Sequence, residues 1–142
     1  MIHNISYRTF VYGTEDEEKV MTAISHLFPT LLPEKTINED YFGNEIVILT
    51  EKITKKRNCK EFIALMNDKL SEKDKNIIKE ELERRIDEKG NLFLRFNKQS
   101  LIDEKIELTY SGDAIHVKIK IASYPVSKEN AIKIAHKLFN FL

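Results

Sequence analysis

Basic residues stand at alternate positions inside otherwise apolar stretches of this chain. Arg8 lies in NISYRTFVY, Arg95 in NLFLRF, and Lys118 and Lys120 in AIHVKIKIA. Aromatic residues share their phase: Phe10 and Tyr12 with Arg8, and Phe93 with Arg95. Guanidinium and ammonium groups pair with phosphates, and aromatic rings stack on bases at roughly 1–3 kcal/mol per base. Gathered on one sheet face, Arg8, Phe93, Arg95, Lys118 and Lys120 would form one kind of surface that holds RNA. The same residues also suit the wet side of a sheet, with lysines chosen to discourage edge pairing. Pattern alone leaves both readings open.

The elements that must position these residues are readable from periodicity. Residues 4–12 alternate and are rich in β-branched and aromatic types, which predicts a strand. Parity does not say whether Ile5, Tyr7, Thr9 and Val11 or Ser6, Arg8, Phe10 and Tyr12 face inward. Thr14 with Glu17 fits a capping box for a helix carrying Val20, Ile24 and Leu27 on one face. TINEDYFGNEIVILTEKI reads as two extended pieces broken at Gly43-Asn44. Asn58 with Glu61 suggests a second capping box, before a helix with Phe62, Met66 and Leu70 in line. A further helix is expected from Glu72 to Asp87, with Ile78, Leu82 and Ile86 inward.

Gly90-Asn91 turns the chain into a strand over 91–96, where Leu92, Leu94 and Phe96 alternate against Phe93 and Arg95. A short connection over Lys98–Ile102 leads to KIELTY, read as another strand. In AIHVKIKIA, Ile115, Val117, Ile119 and Ile121 face one way and His116, Lys118 and Lys120 the other. Ser127 caps a last helix. The order is β-α-β-β-α-α-β-β-β-α. The expected fold class is α+β: a two-layer single domain over 1–142, with a mainly antiparallel sheet and helices packed on one face.

Composition narrows the function classes. The chain has 142 residues, 42% hydrophobic and 32% charged, an ordinary globular balance. Lys+Arg and Asp+Glu both number 23. An RNA site therefore needs a local basic patch, with the acids placed elsewhere. KITKKRNCK gathers Lys52, Lys55, Lys56 and Arg57 near one loop, which suits either a second phosphate contact or a solvated loop, the latter favoured. No apolar stretch approaches the roughly 20 residues of a membrane span. Residues 1–10 lack a basic-then-apolar signal pattern, so a cytoplasmic location is expected. The lone Cys59 rules out an internal disulfide and a cysteine metal cluster, and reads as a packed thiol. His3, His26, His116 and His136 have no metal-ligand spacing. No phosphate loop or nucleophile motif is present, so neither an enzyme nor a bound cofactor is expected.

Four stretches in order carry a resemblance: RTFVYGTEDEEKV (8–20), YFGNEIVIL (41–49), ELERRIDEKGNLFLRFNKQ (81–99) and GDAIHVKIKIASYPV (112–126). Together they resemble a family of small archaeal RNA-binding proteins with a predicted exosome association. The resemblance implies archaeal origin and an α+β domain similar to that of a ribosomal protein that binds 5S RNA. It carries no catalytic residues. Gly43, Gly90 and Gly112 match the family at turns, where a positive φ explains them. Arg8, Arg95, Lys98 and Gln99 match without so local an explanation, and the resemblance assigns them to RNA contact. The sequence departs from the family at Tyr12-Gly13, Tyr41-Phe42 and Asn97, where histidine or aspartate is common.

The expectation is a non-catalytic RNA-binding protein, with exosome or ribosome-related proteins as candidate partners. The alternative is an interaction or structural module that forms a homodimer through its exposed sheet face.

Overall fold

The computed structural model describes residues 1–29 and 32–142. Its elements are β1 (Ile2–Val11), α1 (Glu17–Leu27), β2 (Glu34–Glu39), β3 (Glu45–Ile53), α2 (Lys56–Lys69), α3 (Glu72–Arg85), β4 (Asn91–Asn97), α4 (Lys98–Ile102), β5 (Ala114–Ile121) and α5 (Lys128–Leu138). The strands form one antiparallel sheet in the order β2-β3-β1-β5-β4. Among the described residues no helix is long and apolar enough to cross a membrane.

Helices pack on one face only: α2 against β1, α3 against β4 and α5 against β5. Alternation decides what lies beneath them. In β5, Ile115, Val117, Ile119 and Ile121 are all buried, as are Leu92, Leu94 and Phe96 in β4. In β1 the inward set is Ile5, Tyr7, Thr9 and Val11. Two inward polar groups are satisfied: the Thr9 hydroxyl donates to the Ala114 carbonyl at 3.0 Å, and the Tyr7 hydroxyl to Glu51 Oε1 at 2.8 Å. The Tyr7 ring stacks on Phe28 at 5.0 Å, and Phe28 stacks on Phe62 at 5.0 Å. Phe62 meets Phe96 edge-on at 6.4 Å, so one aromatic column ties β1 to β4 through α2.

Several local expectations are corrected. Asp16, not Thr14, caps α1 by accepting from the Glu18 amide at 2.9 Å. The Glu15 carboxylate instead takes the Tyr12 amide and a lysine. α2 begins at Lys56 after Lys55, which makes no side-chain cap, so Asn58 falls inside the first turn. α3 is capped by Ser71 and ends at Arg85, short of Asp87. Asp87 anchors the following turn instead, accepting from the amides of Lys89 and Asn91. Ser127 caps α5 as expected. KIELTY is not a strand: only Leu108 bridges β4, at Phe96. The buried Asp74 carboxylate holds the Leu108 amide at 3.1 Å and fixes that segment against α3. Lys98–Ile102, read as a plain connection, is the short helix α4, capped by Asn97 through the Ser100 amide.

Candidate nucleic-acid interface

The uncovered face of the sheet carries the even residues of β1 and β5 and the odd residues of β4. Register places them in rows across the strands. Thr50 of β3 lies opposite Arg8, Arg8 opposite His116, and His116 opposite Arg95. The next row runs Lys52, Ser6, Lys118, Phe93. Arg8, Phe93, Arg95 and Lys118 therefore share one face with Lys52 and His116. Phe93 is 44% exposed, a large apolar ring presented to solvent beside Lys118.

These residues line a groove of about 860 Å³. One wall stands beyond β4 and is built by the last turn of α3. Arg85 donates through Nη1 to the Phe93 carbonyl at 3.2 Å, and through Nη2 to Glu81 at 2.8 Å. Glu81 also pairs with Arg84 at 2.9 Å and accepts from the Tyr110 hydroxyl at 2.6 Å. The Tyr110 hydrogen bond first, then the two arginines, hold the Glu81 carboxyl below its ordinary range. Arg95 donates to the Tyr110 carbonyl at 2.6 Å, which orients its guanidinium without neutralising it.

The electrostatics of the groove are lopsided. Six cationic side chains line it against three carboxylates, Glu34, Glu51 and Glu81. Glu81 is already spent on Arg84 and Arg85. Glu51 belongs to the helix-covered side, where burial raises its pKa. No described carboxylate forms an ion pair with Arg8, Lys52, Arg95 or Lys118. His116 sits between two of these cations. Burial, then Arg95 and Arg8, push its pKa below the usual imidazole value. A chain with zero formal charge thus concentrates positive charge on one surface, where an anion would gain from several groups at once.

Two residues depart from the expected surface. Lys98 is 0% exposed. Its ammonium lies 2.7 Å from Glu15 and 2.7 Å from Asp113, and donates to the Phe10 carbonyl at 2.8 Å. It is a buried structural cation, and the reading of Lys98 as part of an exposed RNA surface is corrected. Gln99 is exposed on α4, past the end of β4, and does not line the groove. Lys120 is on the open face, but its ammonium donates to the Lys89 carbonyl at the β4 turn, away from the central row.

Periodicity puts His116 on this face, but nothing in the sequence points to Arg84, Arg85 or Tyr110 as contributors. Lys52 reads from sequence as part of a loop run. Its true place was legible in Leu49, Glu51 and Ile53 alternating against Thr50 and Lys52. The α3 arginines carry no such signal, because their nearness to β4 depends on tertiary packing. Among the described residues no cluster of His, Cys, Asp or Glu is placed to hold a metal ion.

A protein-family model described as RNA binding matches residues 4–121. The chain is 36% identical over 137 residues to the RNA-binding protein PAB1135 of Pyrococcus abyssi, covering 92% of this chain and 89% of that protein. Its fold is similar to that of Mth689, a DUF54 protein from Methanothermobacter thermautotrophicus, at a TM-score of 0.82 and 42% identity, with 98% of each chain covered. It is also similar to AF2318 from Archaeoglobus fulgidus, at a TM-score of 0.86 and 34% identity, covering 97% and 99% of the two chains. With the match running over most of its length, this chain belongs to that RNA-binding family of small archaeal proteins.

Proposed function

We propose that the open face of the sheet binds single-stranded RNA without cleaving it. The observation that carries this reading is the Arg8–His116–Arg95 row with Lys118 and Lys52 beside it, cationic groups left without carboxylate partners among the described residues. Uncompensated cations on a shared face suit consecutive phosphates. Phe93 offers a ring on which a base can stack, and only an unpaired base can reach it. The family description and the name of the Pyrococcus abyssi relative support the same ligand class. Phosphates would also relieve the crowding of Arg8 and Arg95 about His116.

The finer setting we propose is RNA processing, beside exosome or ribosome-related proteins. Purification of the tagged chain with and without ribonuclease treatment checks whether such proteins come with it directly. Self-association by stacking open face on open face is disfavoured, because it would bring Arg8, Lys52 and Lys118 against their own copies.

The deciding experiment is titration of labelled single-stranded and duplex RNA at two salt concentrations. Binding through phosphates must weaken with a log-log slope of about −0.7 per phosphate neutralised on a single strand. Saturable, salt-sensitive binding that favours the single strand, with the RNA recovered intact, is the expected result. Absence of saturable binding at low salt would overturn the proposal.

A further inference from the structure

The two edges of the sheet are treated differently. The outer side of β4 is covered: Ile86 bridges Leu92, Leu108 bridges Phe96, and the Thr109 amide donates to the Arg95 carbonyl at 2.9 Å. The other edge, β2, ends the sheet, and all its residues are exposed. An uncovered edge presents a row of backbone donors and acceptors to any matching strand.

Hairpin geometry fixes which groups those are. The Asp40 amide donates to the Asn44 carbonyl at 2.8 Å, and the Gly43 amide to the Asp40 carbonyl at 3.0 Å. Gly43 has φ +82°, so the loop closes through a left-handed glycine. Residues 40 and 44 are thus a hydrogen-bonded pair. Alternation makes Asn38–Ile46 and Thr36–Ile48 the next such pairs. The backbone groups of Lys35, Ile37 and Glu39 then point outward, to the free edge.

A second copy of β2, related by a two-fold axis, presents the same outward set. Antiparallel pairing must match outward residues with outward residues. Centring it on Thr36 would set Lys35 against Ile37, and centring it on Asn38 would set Ile37 against Glu39. Centring it on Ile37 sets Ile37 against itself and Lys35 against Glu39 at both ends, with Thr36 facing Asn38 on the other face. That register is self-complementary in charge and polarity. It also meets a charge conflict within one copy: Glu39 lies directly opposite Glu45 in β3, a destabilising like-charge pair. Lys35 of the second copy, which lies 2.9 Å from Glu17 in its own copy, would stand beside it and be shared between the two carboxylates. Beyond the strand ends, the same register brings Leu32 level with Phe42 of the second copy and Pro33 level with Tyr41. Leu32, Ile37, Tyr41 and Phe42 are 82%, 55%, 95% and 83% exposed, so such pairing would cover apolar side chains at its centre, Ile37 on Ile37, and again at each end.

We infer that two copies of this chain pair through β2, antiparallel and centred on Ile37, into one continuous sheet. The axis stands perpendicular to the sheet, so both open faces lie on the same side. The inference is independent of what that face binds.

Sedimentation equilibrium of the full chain across a concentration range tests it, because an edge contact of this size gives a concentration-dependent dimer. Ile37→Cys should form an intermolecular disulfide on mild oxidation, since a hydrogen-bonded antiparallel pair has Cα atoms about 5.5 Å apart. Thr36→Cys should not, because it faces Asn38 of the second copy. Lys35→Glu should raise the dimer dissociation constant at least tenfold, and Lys35→Glu with Glu39→Lys should restore it. Ile37→Pro removes only an outward amide, so circular dichroism should show a folded chain that no longer dimerises. A monomer at every concentration with no preference for the Ile37→Cys cross-link would overturn the inference. So would a dimer indifferent to both Lys35→Glu and Ile37→Pro.

Discussion

The ammonium of Lys98 lies 2.7 Å from the Glu15 carboxylate, and the lysine side chain is wholly enclosed. This pair joins the start of α4 to the turn before α1, and Asp113 completes it from the segment leading into β5. Removing one partner of such a cluster strands the others. Lys98→Ala should destabilise the fold by about 3 kcal/mol, the low end of the range for a broken buried pair because Glu15 and Asp113 keep some solvent contact. Chemical denaturation measures this directly. The affinity of the folded fraction for RNA should be unchanged, which separates Lys98 from the groove residues.

That residue also shows where sequence reading stops. In β5 the open face was legible, because Ile115, Val117, Ile119 and Ile121 alternate with His116, Lys118 and Lys120. Leu92, Leu94 and Phe96 were legible for the same reason. In β1 it was not: Tyr7 and Thr9 point inward, and only distant partners, Glu51 and the Ala114 carbonyl, make that burial affordable. Lys98 follows a strand and looks like an extension of its wet side. Its enclosure depends on Glu15, 83 residues away, and no local pattern encodes that contact. KIELTY has strand composition, yet it meets β4 at a single bridge, and its Leu108 amide, turned away from β4, is taken by Asp74 of α3.

Phe93 and Lys118 are register neighbours on the open face, and they should fail differently. Phe93→Ala removes a stacking ring, so affinity for single-stranded RNA should fall by about 1–3 kcal/mol with the salt slope intact. Lys118→Ala removes a phosphate partner, so the log-log salt slope should become shallower by about 0.7. Fluorescence anisotropy of a labelled oligonucleotide at three salt concentrations resolves the two signatures. Identical behaviour of both variants would count against a face that divides its work between rings and cations.

Asp74 is buried and accepts the Leu108 amide, so Asp74→Ala leaves that donor without its partner. The cost should be about 1–3 kcal/mol. The segment over 105–110 should loosen first, because it holds to β4 through few other bonds. Hydrogen exchange should show faster exchange at Leu108 and Thr109 than at β5. Light scattering should show more aggregation, because the edge of β4 is uncovered.

His116 should make both stability and RNA binding depend on pH, in opposite senses. Its pKa in the folded chain lies below the ordinary 6.5, through burial first and then Arg95 and Arg8. Below 6.5 the unfolded chain therefore binds more protons than the folded one, and stability falls as pH falls through that window. A phosphate seated between Arg8 and Arg95 reverses the local field and favours the imidazolium. RNA binding should then take up a proton, and affinity should rise as pH is lowered from about 8 toward about 5.5. Isothermal titration in two buffers of different ionisation enthalpy measures the uptake. His116→Gln should abolish that uptake, flatten affinity across the same range, and lessen the loss of stability in acid. Equal proton uptake by the variant and the parent protein would place the RNA phosphates away from the Arg8–His116–Arg95 row.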